Sequence, residues 1–167
     1  YLHIPFCSTK CTYCAFNTYI HLETLIEPFI HALVREIEIV GQSKPRQAVG
    51  TIFFGGGTLS LLTPEQFALV LAAIHENFRV EAAAEITLEA NPNDLNRDYL
   101  SALHKLGLNR ISIGMQSANE NELALFKRIP RFVPSTASPW MYNRSNTRSC
   151  GTFATAVSVL PATMISK

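Results

Sequence analysis

Val49-Gly50-Thr51-Ile52-Phe53-Phe54-Gly55-Gly56-Gly57-Thr58 is the stretch from which the fold can be read. Val49–Phe54 has the texture of a buried strand, and it runs straight into three glycines, which let a backbone turn sharply and approach a ligand closely. Upstream, Leu25, Ile26, Phe29, Ile30, Leu33, Val34, Ile37 and Val40 recur at helical spacing. Pro28 fits the first turn of that helix, where its missing N–H costs little, and Gly41 is the expected stop. Downstream, Thr63-Pro64-Glu65-Gln66 is a helix start, with Thr63 as cap and Gln66 reaching back, and Phe67, Val70, Leu71, Ile74 and Phe78 continue one apolar face.

The same alternation continues outward. Tyr1–Phe6 reads as a strand, and so does Ala84–Ala90, with Glu85, Thr87 and Glu89 on one side and Ile86 and Leu88 on the other. Leu100, Leu103 and Leu106 mark a helix stopped by Gly107; Arg110–Gly114 is a fourth strand, and Asn119 caps a short helix through Phe126. Strand and helix in strict succession, with short connections, predict an α/β fold of about four βα units with parallel strands and right-handed crossovers. In such folds the chemistry gathers at the C-terminal ends of the strands. Those ends carry a cysteine-rich loop, the Gly55–Gly57 turn, Glu89 with Asn91-Pro92, and Gln116.

The loop is His3-Ile4-Pro5-Phe6-Cys7-Ser8-Thr9-Lys10-Cys11-Thr12-Tyr13-Cys14-Ala15-Phe16, a C-x3-C-x2-C spacing. Three thiolates so close together can reach one small object. A structural zinc ion wants four protein ligands, and His3 or His21 is the available fourth. A four-iron cubane can take three thiolates and keep one iron open for chemistry. Cys150 stands apart as a bystander thiol. Clustered cysteines of this kind are a ligand pattern, not a disulfide framework, and they suit a reducing, cytoplasmic compartment.

Composition narrows the function classes. At 167 residues the chain can bury one domain's core. A net charge of +1 gives no argument for nucleic-acid binding, and no apolar run approaches the ~18 residues of a membrane span. No signal-peptide pattern opens the chain, and its start at Tyr1, inside a strand, suggests missing N-terminal residues. All 13 acidic residues fall at or before Glu122 beside eight of the 14 basic ones, so the first part carries −5 and the remainder +6. Residues 129–167 hold six Ser, five Thr and four Pro, no acid, and no sustained apolar period. That composition predicts a disordered or loosely attached basic tail behind a 1–128 domain.

Five words together resemble radical SAM proteins of the oxygen-independent coproporphyrinogen III oxidase type. They are His3–Cys7, the C-x3-C-x2-C loop, Phe53-Phe54-Gly55-Gly56-Gly57-Thr58, Leu88-Glu89-Ala90-Asn91-Pro92, and Asn109–Ser117. The resemblance covers residues 1–128 and implies an incomplete version of that family's (βα)6 partial TIM barrel. It implies that Cys7, Cys11 and Cys14 hold a [4Fe–4S] cluster, whose open iron takes the amino and carboxylate groups of S-adenosylmethionine (SAM). It further implies SAM contacts for Tyr1, Tyr13, Phe16, Gly55, Gly56, Gly57, Thr58, Glu89, Gln116 and Arg128. Electron transfer into the sulfonium would then cleave SAM to methionine and a 5′-deoxyadenosyl radical.

Within the family, the oxidases carry another cysteine two positions after the third ligand; here that position is Phe16. This resembles the haem-chaperone branch, HemW, which implies haem as a further ligand, an electron donor, and an acceptor protein for the haem. The alternatives are oxidative decarboxylation of porphyrinogen propionates, or an inactive fragment or zinc-binding module. Leu59 stands where the family usually has Pro, and the resemblance ends at Arg128, as a truncated or frame-shifted coding sequence would produce. Four units in place of six would leave the last strand as an open parallel edge.

Overall fold

A computed structural model describes residues 1–117, 120–126 and 154–159. Strand β1 (Leu2–Ile4) is followed by a two-residue strand β2 (Phe6–Cys7), the cysteine loop, and a second short strand β3 (Tyr19–Ile20). Helix α1 (Ile26–Gln42), β4 (Ala48–Gly56), α2 (Pro64–Asn77), β5 (Arg79–Ala90), α3 (Arg97–Lys105), β6 (Arg110–Gln116), α4 (Glu120–Leu125) and β7 (Ala154–Val159) come next. The main sheet has the order β1-β4-β5-β6-β7, and its first four strands are parallel. Four βα units therefore stand in sequence, as the periodicity predicts. The β2–β3 pair forms a separate parallel ribbon at the mouth of the sheet.

Local signals explain most of these elements. Thr63 caps α2 with a complete capping box: its hydroxyl accepts from the Gln66 N–H while the Gln66 side chain accepts from the Thr63 N–H. Asn96 caps α3 by accepting from the Tyr99 N–H at 2.9 Å. Alternation along the strands sends Ile52, Phe54, Ile86, Leu88 and Ile111 to one face, where the first four form one core cluster with Ile30, Phe67, Val70, Ile74 and Leu103 of the helices. Phe54 and Phe67, neither with any exposed surface, meet edge to face at 5.2 Å in the middle of this layer.

Three elements differ from expectation. Helix α1 passes through Gly41 and ends at Gln42, because Gly41 lies where α1 crosses α2: a Cβ there would stand 2.5 Å from that of Asn77. Strand β5 begins at Arg79, five residues before the expected Ala84, pairing Arg79 and Val80 with Ala48 and Val49 of β4. β6 is not an open edge, since Ala154–Val159 pairs with it antiparallel from Arg110 to Gln116. The remainder of residues 129–167, and the Asn119 cap, lie outside the described residues.

Candidate functional site

Both ends of the cysteine loop are pinned to the sheet by backbone hydrogen bonds. The Tyr19 N–H donates to the Pro5 carbonyl at 2.7 Å, and Phe6–Cys7 pairs in register with Tyr19–Ile20. The glycine turn locks against the same segment, with the Gly57 N–H on the Ile4 carbonyl and the Thr58 N–H on the Phe6 carbonyl, each at 2.7 Å. Only glycine fits here. Gly56 has φ +120°, and a Cβ on Gly57 would enter the Phe6 carbonyl. At its far side the loop rests on α4: the Thr12 hydroxyl donates to the Leu125 carbonyl at 3.2 Å, and Tyr13 meets Phe126 edge to face at 5.2 Å.

A cavity of about 620 Å³ opens beneath this loop at the C-terminal ends of β4, β5 and β6. That volume lies within the range of small-molecule sites. Cys7, Cys11, Cys14, Tyr13, Phe16, Gly56, Gly57, Thr58, Glu89 and Gln116 all line it. Residues from four strand ends more than 100 positions apart thus share one concave surface. The Gly56 N–H donates to Glu89 Oε2 at 3.4 Å, tying the carboxylate to the glycine turn. Gln116 has φ +64°, a left-handed conformation uncommon for a non-glycine residue, where β6 ends at the cavity wall.

Tyr1 and Gly55 do not line the cavity but stand immediately behind its wall. Tyr1 stacks on Phe53 at 5.9 Å and shares its hydroxyl with His3 Nδ1 at 2.9 Å. A Cβ on Gly55 would lie 2.9 Å from Glu89 Oε2 and from the Tyr1 ring. Burial first, and then the Glu89 carboxylate, raise the Tyr1 phenol above its ordinary pKa. Arg128 and Cys150 are outside the described residues.

His3 is fully occupied. Its Nε2 lies 2.9 Å from the Asn17 carbonyl, which can only accept, so in the neutral ring Nε2 carries the proton and Nδ1 accepts from Tyr1. Neither nitrogen is left to complete a zinc site. Its role is to tie the returning end of the cysteine loop to β1. His21, at φ +61°, follows β3 and is not among the cavity residues.

The thiols of Cys7, Cys11 and Cys14 are free and half-buried. Among the described residues no three His, Cys, Asp or Glu side chains gather closely enough for a single metal ion. All three thiols line the cavity, and three thiolates can each meet a different iron of a cubane. Sequence reasoning missed other cavity residues, among them Thr18, Asn93, Asp94 and Ser112. Ser112 had a signal, since it pairs with Glu89 on the next strand and shares its face. Asp94 had none: a short 3-10 turn at Pro92–Asp94 brings it to the rim, where Oδ2 accepts from Ser60 Oγ at 2.9 Å and Asn91 Nδ2 at 3.1 Å.

Comparison with known proteins agrees with this geometry. Residues 1–141 match the model of the Radical SAM superfamily. The chain is 39% identical over 128 residues to the mitochondrial "Radical S-adenosyl methionine domain-containing protein 1" of Bos taurus, covering 77% of this chain and 29% of that protein. It is 40% identical over 131 residues to the "Heme chaperone HemW" of Lactococcus lactis, covering 78% and 33%. The solved coproporphyrinogen III oxidase (HemN) of Escherichia coli superposes with a TM-score of 0.71 at 31% identity, covering 76% of this chain and 30% of that one. The chain thus spans about a third or less of the length of these relatives. The thiol loop, the glycine turn and the order of the parallel strands have one common explanation: the chain belongs to the radical SAM superfamily, related to both HemW and HemN.

Proposed function

We propose that this chain is the cofactor-binding part of a haem-handling protein of the HemW type, holding a [4Fe–4S] cluster on Cys7, Cys11 and Cys14 and SAM in the adjoining cavity. The observation that carries it is the convergence of the three thiols, the glycine turn, Glu89 and Gln116 on one cavity. Three thiolates leave one iron of a cubane open, which is where the amino acid end of SAM would dock. Gly56, Gly57 and Thr58 offer close backbone approach along the methionine part. Glu89, held by the Gly56 N–H, offers a carboxylate to the cationic end or the hydroxyls. Gln116 offers an amide from the opposite wall, and Tyr13, braced by Phe126, covers the site. Tyr1 and Gly55 support it from behind, by setting the position of Glu89. Arg128, by the family pattern, would add a contact to the ribose or carboxylate. Together the two cofactors would supply one-electron chemistry at the sulfonium; the protein's part is to position them and exclude water.

Phe16 favours the chaperone over the oxidase. It lines the cavity, 58% exposed, where the oxidase pattern has a further cysteine. The partners would be haem, an electron donor and a haem acceptor, in a reducing compartment that keeps the thiols free. Anaerobic reconstitution with iron and sulfide should load about four irons per chain and give an electron resonance signal that SAM perturbs. A single tightly held zinc would overturn the assignment. Haem titration then separates the branches: saturable haem binding without porphyrinogen turnover supports the chaperone, and decarboxylation of porphyrinogen supports the oxidase.

A further inference from the structure

Thr18 is 6% exposed and lines the cavity, yet its Oγ1 is buried without a hydrogen-bond partner among the described residues. No other buried side-chain polar atom among those residues is left so. The orphan position is built in. On one side the Asn17 carbonyl is held by His3 Nε2 at 2.9 Å; on the other the Tyr19 N–H is held by the Pro5 carbonyl at 2.7 Å. The backbone around Thr18 therefore cannot swing out to find water, and a β-branched side chain has few rotamers to choose among. A buried hydroxyl left unpaired is unfavourable, and native structures rarely keep one without a reason. The cavity that Thr18 lines can supply an acceptor once it is filled.

We infer that Thr18 Oγ1–H donates a hydrogen bond to an anionic sulfur, a thiolate or inorganic sulfide of the cluster bound by the cysteine loop. This rests on the cluster assignment proposed above. The position favours sulfur over SAM, because Thr18 belongs to the returning limb of the cysteine loop. It lies four residues past Cys14 and two before Ile20, the register partner of Cys7. Most of the groups offered to SAM, namely Gly56, Gly57, Thr58, Glu89 and Gln116, stand at the ends of β4, β5 and β6 instead. A hydrogen bond to a cluster sulfur withdraws charge and favours the reduced state. Thr18 is thus a positioning and tuning residue for the cofactor rather than a ligand.

The test compares the full chain with Thr18→Val, which keeps the shape and removes the hydroxyl, and Thr18→Ser, which keeps a hydroxyl. Each is reconstituted anaerobically, its iron counted, and its reduced fraction followed by redox titration. At the wild-type midpoint, Thr18→Val should shift the ratio of oxidised to reduced cluster up to about tenfold toward oxidised, about 59 mV for a one-electron couple. Thr18→Ser should stay within about twofold of wild type. The apo form of Thr18→Val should melt no lower than wild type, since it loses only an unpaired polar group. An unshifted titration in Thr18→Val with about four irons bound overturns the role of Thr18 and leaves the cluster standing. A loss of SAM affinity with an unshifted titration also overturns it, by placing the hydroxyl on SAM. A wild-type chain that binds zinc and assembles no cluster overturns the inference together with the reading beneath it.

Discussion

The two faces of the parallel sheet are built from alternate residues of the same strands, and they hold opposite chemistry. On the helix side, Ile52, Phe54, Ile86, Leu88 and Ile111 are all at most 5% exposed. On the other side stand Tyr1, His3, Phe53, Glu85, Thr87, Glu89, Arg110 and Ser112, and five of these make polar contacts with one another. Arg110 pairs with Glu85 at 2.6 Å, Thr87 donates to the same carboxylate at 3.3 Å, and Tyr1 bonds His3. The helix side holds the strands together, and the polar side aims them at the cavity. A substitution should therefore reveal its face by whether it moves stability or binding.

The largest break should come on the helix side. Phe54→Ala removes a fully buried ring packed on Phe67 and should cost about 3–5 kcal/mol in urea unfolding. An effect under about 1 kcal/mol would mean that the helix layer is not the chief source of stability. Glu89→Gln is the counterpart at the cavity. It should weaken SAM binding roughly tenfold, by removing a charge-assisted contact, while unfolding stability stays within about 1 kcal/mol. If stability falls and affinity does not, Glu89 belongs to the frame and not to the site.

Tyr99 of α3 sharpens the contrast, because it is a polar group inside the helix layer. Its hydroxyl donates to the Leu62 carbonyl at 3.0 Å, and burial, then Asp94, raise its phenol well above the ordinary value. Because the folded pKa is the higher one, the folded state keeps the proton after the unfolded chain has lost it. The associated stability is complete below about pH 10 and is lost as pH rises above that. Tyr99→Phe should cost about 1 kcal/mol at pH 7 and flatten the alkaline loss, read from urea midpoints against pH. An unchanged alkaline slope would place the titrating group elsewhere. The smallest effect should be Arg110→Met. The Glu85–Arg110 pair is 45% and 30% exposed, so losing it should cost no more than about 1 kcal/mol and less in high salt.

Much of this was legible because its causes are local. The α2 capping box needs only Thr63 and Gln66, and the alternation of β5 needs only its own residues. The cysteine spacing and the glycine turn, with the other three words, carry the family resemblance without any tertiary information. Gly41 does not end its helix as its own propensity suggests, because a close crossing with Asn77 decides its place. The edge of β6 was unreadable for a related reason: its cover comes from residues 154–159, about 40 positions away in a segment whose composition suggests no strand.

The chain's local patterns alone settled the βα order, the parallel arrangement and the close spacing of three thiols, since periodicity, caps and motif spacing act within a few residues. Only the tertiary structure decided which of those groups share a cavity. It set Tyr1 and Gly55 behind the wall, used Nε2 of His3 to tie the loop to β1 and its Nδ1 to hold Tyr1, brought Asp94 to the rim, and left Thr18 Oγ1 without a partner among the described residues. These outcomes depend on register and on backbone hydrogen bonds between distant segments, such as Tyr19 to Pro5 and Gly57 to Ile4, which form only when the sheet assembles.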